Sequence, residues 1–188
     1  MLQKSRWLII AVFSLMLSSG CAVNNPLASD SNNSSHNPPA AISFTPFSNG
    51  APNSNYLKPG STSNEDLWLK IEADRITSDV LGASFHLVFN SNVIDYLDSF
   101  AGDFFPAQAI NLVTLQDNDP AASKLIIAVA NLNQSNLSNG SGTILTLHFR
   151  AIAPGVSSLT FVENHLQDAQ TQDVAVDGWY GGTVAAAP

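Results

Sequence analysis

An all-β sandwich is the fold class this sequence predicts, and three observations carry that reading. Residues 140–161, GSGTILTLHFRAIAPGVSSLTF, alternate with a period of two. Leu145, Leu147 and Phe149 take one face, and Ile144, Thr146, His148 and Arg150 take the other. Shorter runs of the same kind recur between turn-forming Gly, Pro, Asn and Asp residues. No segment sustains a helical period, and a Phe-rich, Lys- and Arg-poor composition suits a pleated surface. Many short strands punctuated by turns point to two packed sheets.

Taken in order, Ile42-Ser43-Phe44 is a short first strand, followed by a long polar stretch ending Lys58-Pro59-Gly60-Ser61. Leu67, Leu69 and Ile71 then alternate with Trp68, Lys70 and Glu72, and residues 74–81 read as a connecting loop. From Gly82 to Phe89 the inward set is Phe85, Leu87 and Phe89, which leaves Ser84, His86 and Val88 outward. Asn90-Ser91-Asn92 turns the chain into an extended piece over 93–97, and Phe104 and Phe105 are placed as a plug at one end of the core. Residues 110–115 read as a strand and Asp117-Asn118-Asp119-Pro120 as a solvated turn. Residues 124–130 are apolar on both faces, so either both are covered or one is an interaction surface. In 140–161 the Pro154-Gly155 turn joins a hairpin-like pair whose second strand carries Leu159 and Phe161 inward. Val174-Ala175-Val176 and Thr183-Val184 close the sheet, with 177–182 between them.

The chain has 188 residues, 45% hydrophobic and 12% charged, which suits one globular domain plus a tail. Three segments are expected: a leader over 1–20, a tether over 21–41 and the β-sandwich over 42–186. The leader has basic Lys4 and Arg6, an apolar run from Trp7 to Leu17, and then small residues. That is an export signal, too short to span a bilayer. Leu17-Ser18-Ser19-Gly20-Cys21 resembles a bacterial lipobox, with Leu four places before the cysteine rather than the usual three. A cleavable signal that merely contains a thiol is the alternative. The lipid-anchor reading of Cys21 is preferred because an unpaired exposed thiol has no evident use in an exported protein. Ala22 carries no retention Asp, which by resemblance to the sorting rule implies the outer membrane or cell surface. The tether, rich in Asn, Ser and Pro, lacks the apolar content to offset its ordering entropy. Its His36 is expected to be idle.

The charge excludes some partners. The whole chain carries −8, and losing Lys4 and Arg6 with the leader takes it to −10. An acidic surface repels phosphate backbones, so nucleic acid is not an expected partner. No phosphate loop, G-x-S-x-G elbow or H-E-x-x-H is present, and the four histidines are scattered beside a single cysteine. Asp117 and Asp119 lack an acidic ligand at EF-hand spacing. No catalytic residue, metal or cofactor is expected.

Two features could carry binding. Ser84, His86 and Val88 face outward, and Leu125, Ile127 and Val129 form an outward apolar row if Ala128 and Ala130 face in. Together they make a candidate docking plateau for a protein partner. The reversed register, with that row in the core, is the alternative. Separately, Trp68, Trp179 and Tyr180 are aromatics at expected exposed or loop positions, and flat aromatics can stack on sugar rings. Edge packing is the alternative for these three.

The ordered set of motifs resembles the cohesin domain over residues 42–185. The matching parts are the segment 81–94 (LGASFHLVFNSNVI), the run SKLIIAVAN, the block 140–161 and the closing Gly181-Gly182-Thr183-Val184. The resemblance implies a nine-stranded jelly-roll sandwich that binds dockerins, the calcium-loaded modules of polysaccharide-degrading enzymes, through one sheet face. The strands holding Ser84, His86, Ile127 and Val129 correspond to that face. In this chain Phe89-Asn90-Ser91 replaces the family's Tyr-Asp-Pro turn, Ser84 stands where many cohesins place an acid, and Asn131 or Leu132 stands near another. A non-catalytic receptor for a dockerin-like or other envelope protein is the expected function, with a carbohydrate-binding module as the alternative.

Overall fold

The computed structural model describes residues 41–188. Among them run eleven strands: β1 (Ala41–Pro46), β2 (Ser54–Ser63), β3 (Asp66–Val80), β4 (Gly82–Phe89), β5 (Ile94–Ala101), β6 (Ile110–Gln116), β7 (Ser123–Ala130), β8 (Ser138–Ala151), β9 (Gly155–Gln167), β10 (Gly178–Tyr180) and β11 (Gly182–Ala187). They form a six-stranded sheet, β1-β11-β9-β4-β7-β6, and a five-stranded sheet, β10-β2-β3-β8-β5. The leader, Cys21 and the tether up to residue 40 lie outside the described residues.

Cross-strand register shows how the period-two pattern builds the core. Leu67, Leu69 and Ile71 of β3 sit opposite Phe149, Leu147 and Leu145 of β8, all wholly buried. On the facing sheet Ala83, Phe85 and Leu87 of β4 sit opposite Val129, Ile127 and Leu125 of β7. Residues directly opposite in an antiparallel pair share a face, so each sheet presents one apolar layer and the two interdigitate. Phe89 of β4 meets Phe149 of β8 edge to face at 5.4 Å, tying the layers together. Phe104 and Phe105 are buried against the same core, as expected of a plug. Phe149→Ala removes the central ring of this contact and is expected to lower stability by about 3–5 kcal/mol. Chemical denaturation of both proteins measures that difference.

The structure departs from the sequence reading in several places. β8 and β9 are not a hairpin. Pro154-Gly155 is a corner that carries the chain from one sheet to the other: β8 pairs with β3 and β5, and β9 with β4 and β11. Ile144 faces the core and not solvent. Ile71 pairs with Leu145 and Glu72 with Thr143, so Ile144 is the extra residue of a bulge, which turns it inward. The polar stretch before Ser61 contains β2, whose Ser54, Asn55 and Leu57 are buried; Pro59 is tolerated because the register breaks there.

Residues 74–81 are chiefly strand as well. β3 runs on to Val80 through two register shifts, with Arg75 in the left-handed region (φ 52°) and Ile76 and Val80 buried. There the Arg75 side chain hydrogen-bonds the Asp74 carboxylate and holds it below the usual carboxylate range.

Val174-Ala175-Val176 forms no strand, while β10 lies where a loop was read. The total exceeds the expected nine partly because one stretch, 178–187, serves first one sheet and then the other as β10 and β11. The Asp117–Pro120 turn is a tied corner. Asp117 Oδ1 accepts from the hydroxyls of Ser91 and buried Ser123, and Asp119 caps the short 3-10 turn Pro120–Ala122.

Candidate partner-binding face

The register that builds the core also overturns the expected apolar row, one of the two parts of the docking plateau. Leu125, Ile127 and Val129 lie opposite Leu87, Phe85 and Ala83, so they point into the sandwich and are at most 2% exposed. The outward row of β7 is the complementary set, Lys124, Ile126, Ala128 and Ala130. Ser84, His86 and Val88 do lie on the outer face, half-buried, as expected.

Pairing across four strands assembles the plateau. Ile126 is flanked by His86 of β4 and Thr114 of β6, and Ala128 by Ser84 and Leu112. Ile110 stands beside Ala130, and Val162 of β9 beside His86. Leu112 and Ile110 are 57% and 55% exposed, high values for branched aliphatic side chains on a sheet. The apolar part therefore runs from the β6 edge to the middle of the sheet. Sequence reasoning missed Ile110, Leu112, Ile126, Ala128 and Val162. The alternation within 110–115 was visible, but the face it belonged to depends on pairing with β7.

Beyond His86 the surface turns polar. The register of β9 against β4 slips between Ser84 and His86, which places Glu163 and Asn164 in a bulge. Glu163 adopts φ 50°, and its carboxylate lies 3.2 Å from His86 Nδ1. That nitrogen is shielded from solvent and the contact does not reach hydrogen-bond geometry. His165, the next outward residue, pairs with Asp173 at 3.1 Å.

By sequence, no family profile and no curated protein matches the chain. By structure it is similar to the type II cohesin dyad from the adaptor ScaA scaffoldin of Acetivibrio cellulolyticus, with TM-score 0.58 and 14% identity over 70% of this chain and 48% of that one. A type II cohesin domain from the cellulosome of the same organism gives TM-score 0.55 and 14% identity, covering 79% of this chain and 95% of its own. The sixth cohesin of that organism's scaffoldin B, solved in complex with a Cel5 dockerin mutant, gives 0.52 and 14% over 71% and 89%.

The fold is that of a cohesin.

Within this cohesin-like sandwich the three candidate sugar-stacking aromatics do not form one platform. Trp68 lies on the outer face of the five-stranded sheet, stacked on His148 at 3.9 Å with Phe100 tilted against it at 5.5 Å. One flat face of Trp68 is therefore already covered. His148 is held between Asp98 and Asp66, at 3.1 and 3.3 Å, so its ring is fixed in that stack. Trp179 takes the opposite side of the sheet, packed into the core against Phe85 and Phe161 at 5.1 and 5.4 Å. Tyr180 is half-buried, with its ring so close to Gly178 that a Cβ there would lie 2.5 Å from it. Among the described residues no group of three or more His, Cys, Asp or Glu side chains is placed to hold a metal ion.

Proposed function

We propose that this protein is an exported, lipid-anchored receptor module that holds a protein partner on the outer face of its six-stranded sheet and catalyses no reaction of its own. The observation that carries the proposal is the half-open apolar row Ile110, Leu112, Ile126 and Ala128, bordered by Ser84, His86 and Val88. Such a surface fits a partner that covers the aliphatic row and hydrogen-bonds the Ser84–His86 border. The partner is a dockerin-like module or another envelope protein. The dockerin-bound scaffoldin cohesin with a similar sandwich favours the first, and a dockerin-bearing enzyme would link the receptor to polysaccharide breakdown. Cys21, acylated, anchors the domain at the outer membrane or cell surface, and the tether over 21–41 spaces it away from the lipid.

The test of the face uses the Leu112→Asp, Ile126→Asp double variant against a panel of dockerin modules and solubilised envelope proteins. Two carboxylates on a desolvating interface are expected to weaken binding at least a hundredfold, with the fold retained. Undiminished binding by the double variant overturns the assignment of the face. The anchor has its own test. Cys21→Ser is expected to move the protein from the membrane fraction to the soluble fraction, and an unchanged membrane fraction overturns lipidation.

A further inference from the structure

The segment 173–179 leads from beside β9, where Asp173 bridges to Gln167, into β10 of the other sheet, and a cleft of about 390 Å³ lies between it and the end of β9. Its walls combine two kinds of surface. Its lining is mainly polar, with Asn164, His165 and Asp173 bringing an amide, an imidazole and a carboxylate, and Trp179, Val174 and Val176 supply a smaller apolar part. Trp179 is preset by the core, because Phe85 and Phe161 hold its ring, so its position requires no ligand to order it. A second cleft of about 440 Å³ shares Asp173 and Val174 with the first and adds Ser78, Asp79, Asp168 and Gln170. The two adjoin through the Asp173-Val174 step.

The chemistry of these walls selects a ligand class. Neither cleft carries Lys or Arg among the described residues, and three carboxylates line them, so anionic ligands are repelled. Space of this size, with one aromatic, two valines and converging hydroxyl, amide and carboxylate groups, matches a molecule with an apolar face and a hydroxyl-rich rim. We infer that the paired clefts are a binding site for a neutral oligosaccharide, with one pyranose unit against Trp179 and its neighbour beyond Asp173. The site meets the docking face only at its border, where His165 of β9 pairs with Ser84 of β4, so a module seated on the Leu112–Ile126 row and a glycan held here could be bound together. That would place the substrate of a captured glycan-degrading enzyme beside it. The glycan site does not depend on the docking proposal.

The full chain is titrated calorimetrically with cellopentaose, xylopentaose and maltopentaose, with polygalacturonate as the anionic control. Binding of at least one neutral pentaose is expected, together with a change in tryptophan fluorescence. Val174→Trp, which fills the shared wall, and Asp173→Ala are each expected to weaken it at least tenfold, and Trp68→Ala to leave it unchanged. Both cleft variants alter exposed or half-exposed residues, and a thermal melt within a few degrees of the parent shows that they are folded. Trp179→Phe keeps a ring in the core and is expected to abolish the fluorescence change. Binding lost with Trp68→Ala but kept in the cleft variants overturns the site. Preference for polygalacturonate overturns the ligand class, and no heat with any neutral pentaose overturns the inference outright. Unchanged dockerin binding by Asp173→Ala separates this site from the docking face.

Discussion

Ile127→Asp is expected to unfold the domain, whereas Ile126→Asp, one residue earlier on the same strand, leaves it folded. Ile127 is 1% exposed and lies opposite Phe85 in the central part of the six-stranded sheet. Replacing it removes a buried aliphatic side chain, a loss of about 2–5 kcal/mol from truncation alone. The carboxylate then has no partner in an apolar layer, and burying or protonating it costs several kcal/mol more. Against the usual stability of about 5–15 kcal/mol, the total removes most or all of the fold. Ile126 projects from the opposite face between His86 and Thr114, where an added carboxylate meets solvent. Circular dichroism and a denaturant titration of the two variants decide the matter. A folded Ile127→Asp would mean the register of β7 is shifted by one residue.

Gly181→Ala is the second large effect. Gly181 is the single residue between β10, in the five-stranded sheet, and β11, in the six-stranded sheet. To make that step the chain passes against the backbone of β9, and a Cβ on Gly181 would sit 1.8 Å from the Leu159 carbonyl oxygen. A backbone oxygen in the middle of a paired strand cannot move aside as a flexible side chain can, so the strand must shift. The expected loss is about 3 kcal/mol, seen as a fall in Tm of about 10 °C. Gly140 makes the useful contrast: a Cβ there meets nothing within 4 Å, and only its φ of +80° opposes a side chain. Gly140→Ala should therefore cost about 1–2 kcal/mol, and a Gly181→Ala loss no larger than that would show that β9 yields easily.

Legibility followed the strength of the local pattern. Strands β3, β4 and β8 announced themselves because a period-two apolar set is a local property of the chain, and their inward residues are buried as expected. β2 was hidden because its buried positions include Ser54 and Asn55, and Pro59 argues against a strand unless the register breaks there. Ile144 was misplaced for a related reason, since a bulge adds one residue to one strand and reverses the parity of the pattern.

β7 shows why the candidate site was only half visible. SKLIIAVAN is apolar at successive positions, so its own sequence cannot say which parity faces inward. Pairing Phe85 with Ile127 assigns it, and that pairing exists only once β4 and β7 lie side by side. The resemblance to cohesins pointed to β4 and β7 while leaving the parity open. The three aromatics grouped by residue type likewise occupy opposite sides of one sheet.

Local alternation, turn chemistry and composition were enough to specify an all-β sandwich, its main inward rows and an acidic net charge. Each of these depends on neighbours in sequence or on totals. Which strands pair, where Pro154-Gly155 sends the chain, which side of β7 is free and where the Trp179 cleft opens depend on contacts between distant segments. A one-residue change of register reverses every side chain on a strand, so these features were decided only when the two sheets closed on each other.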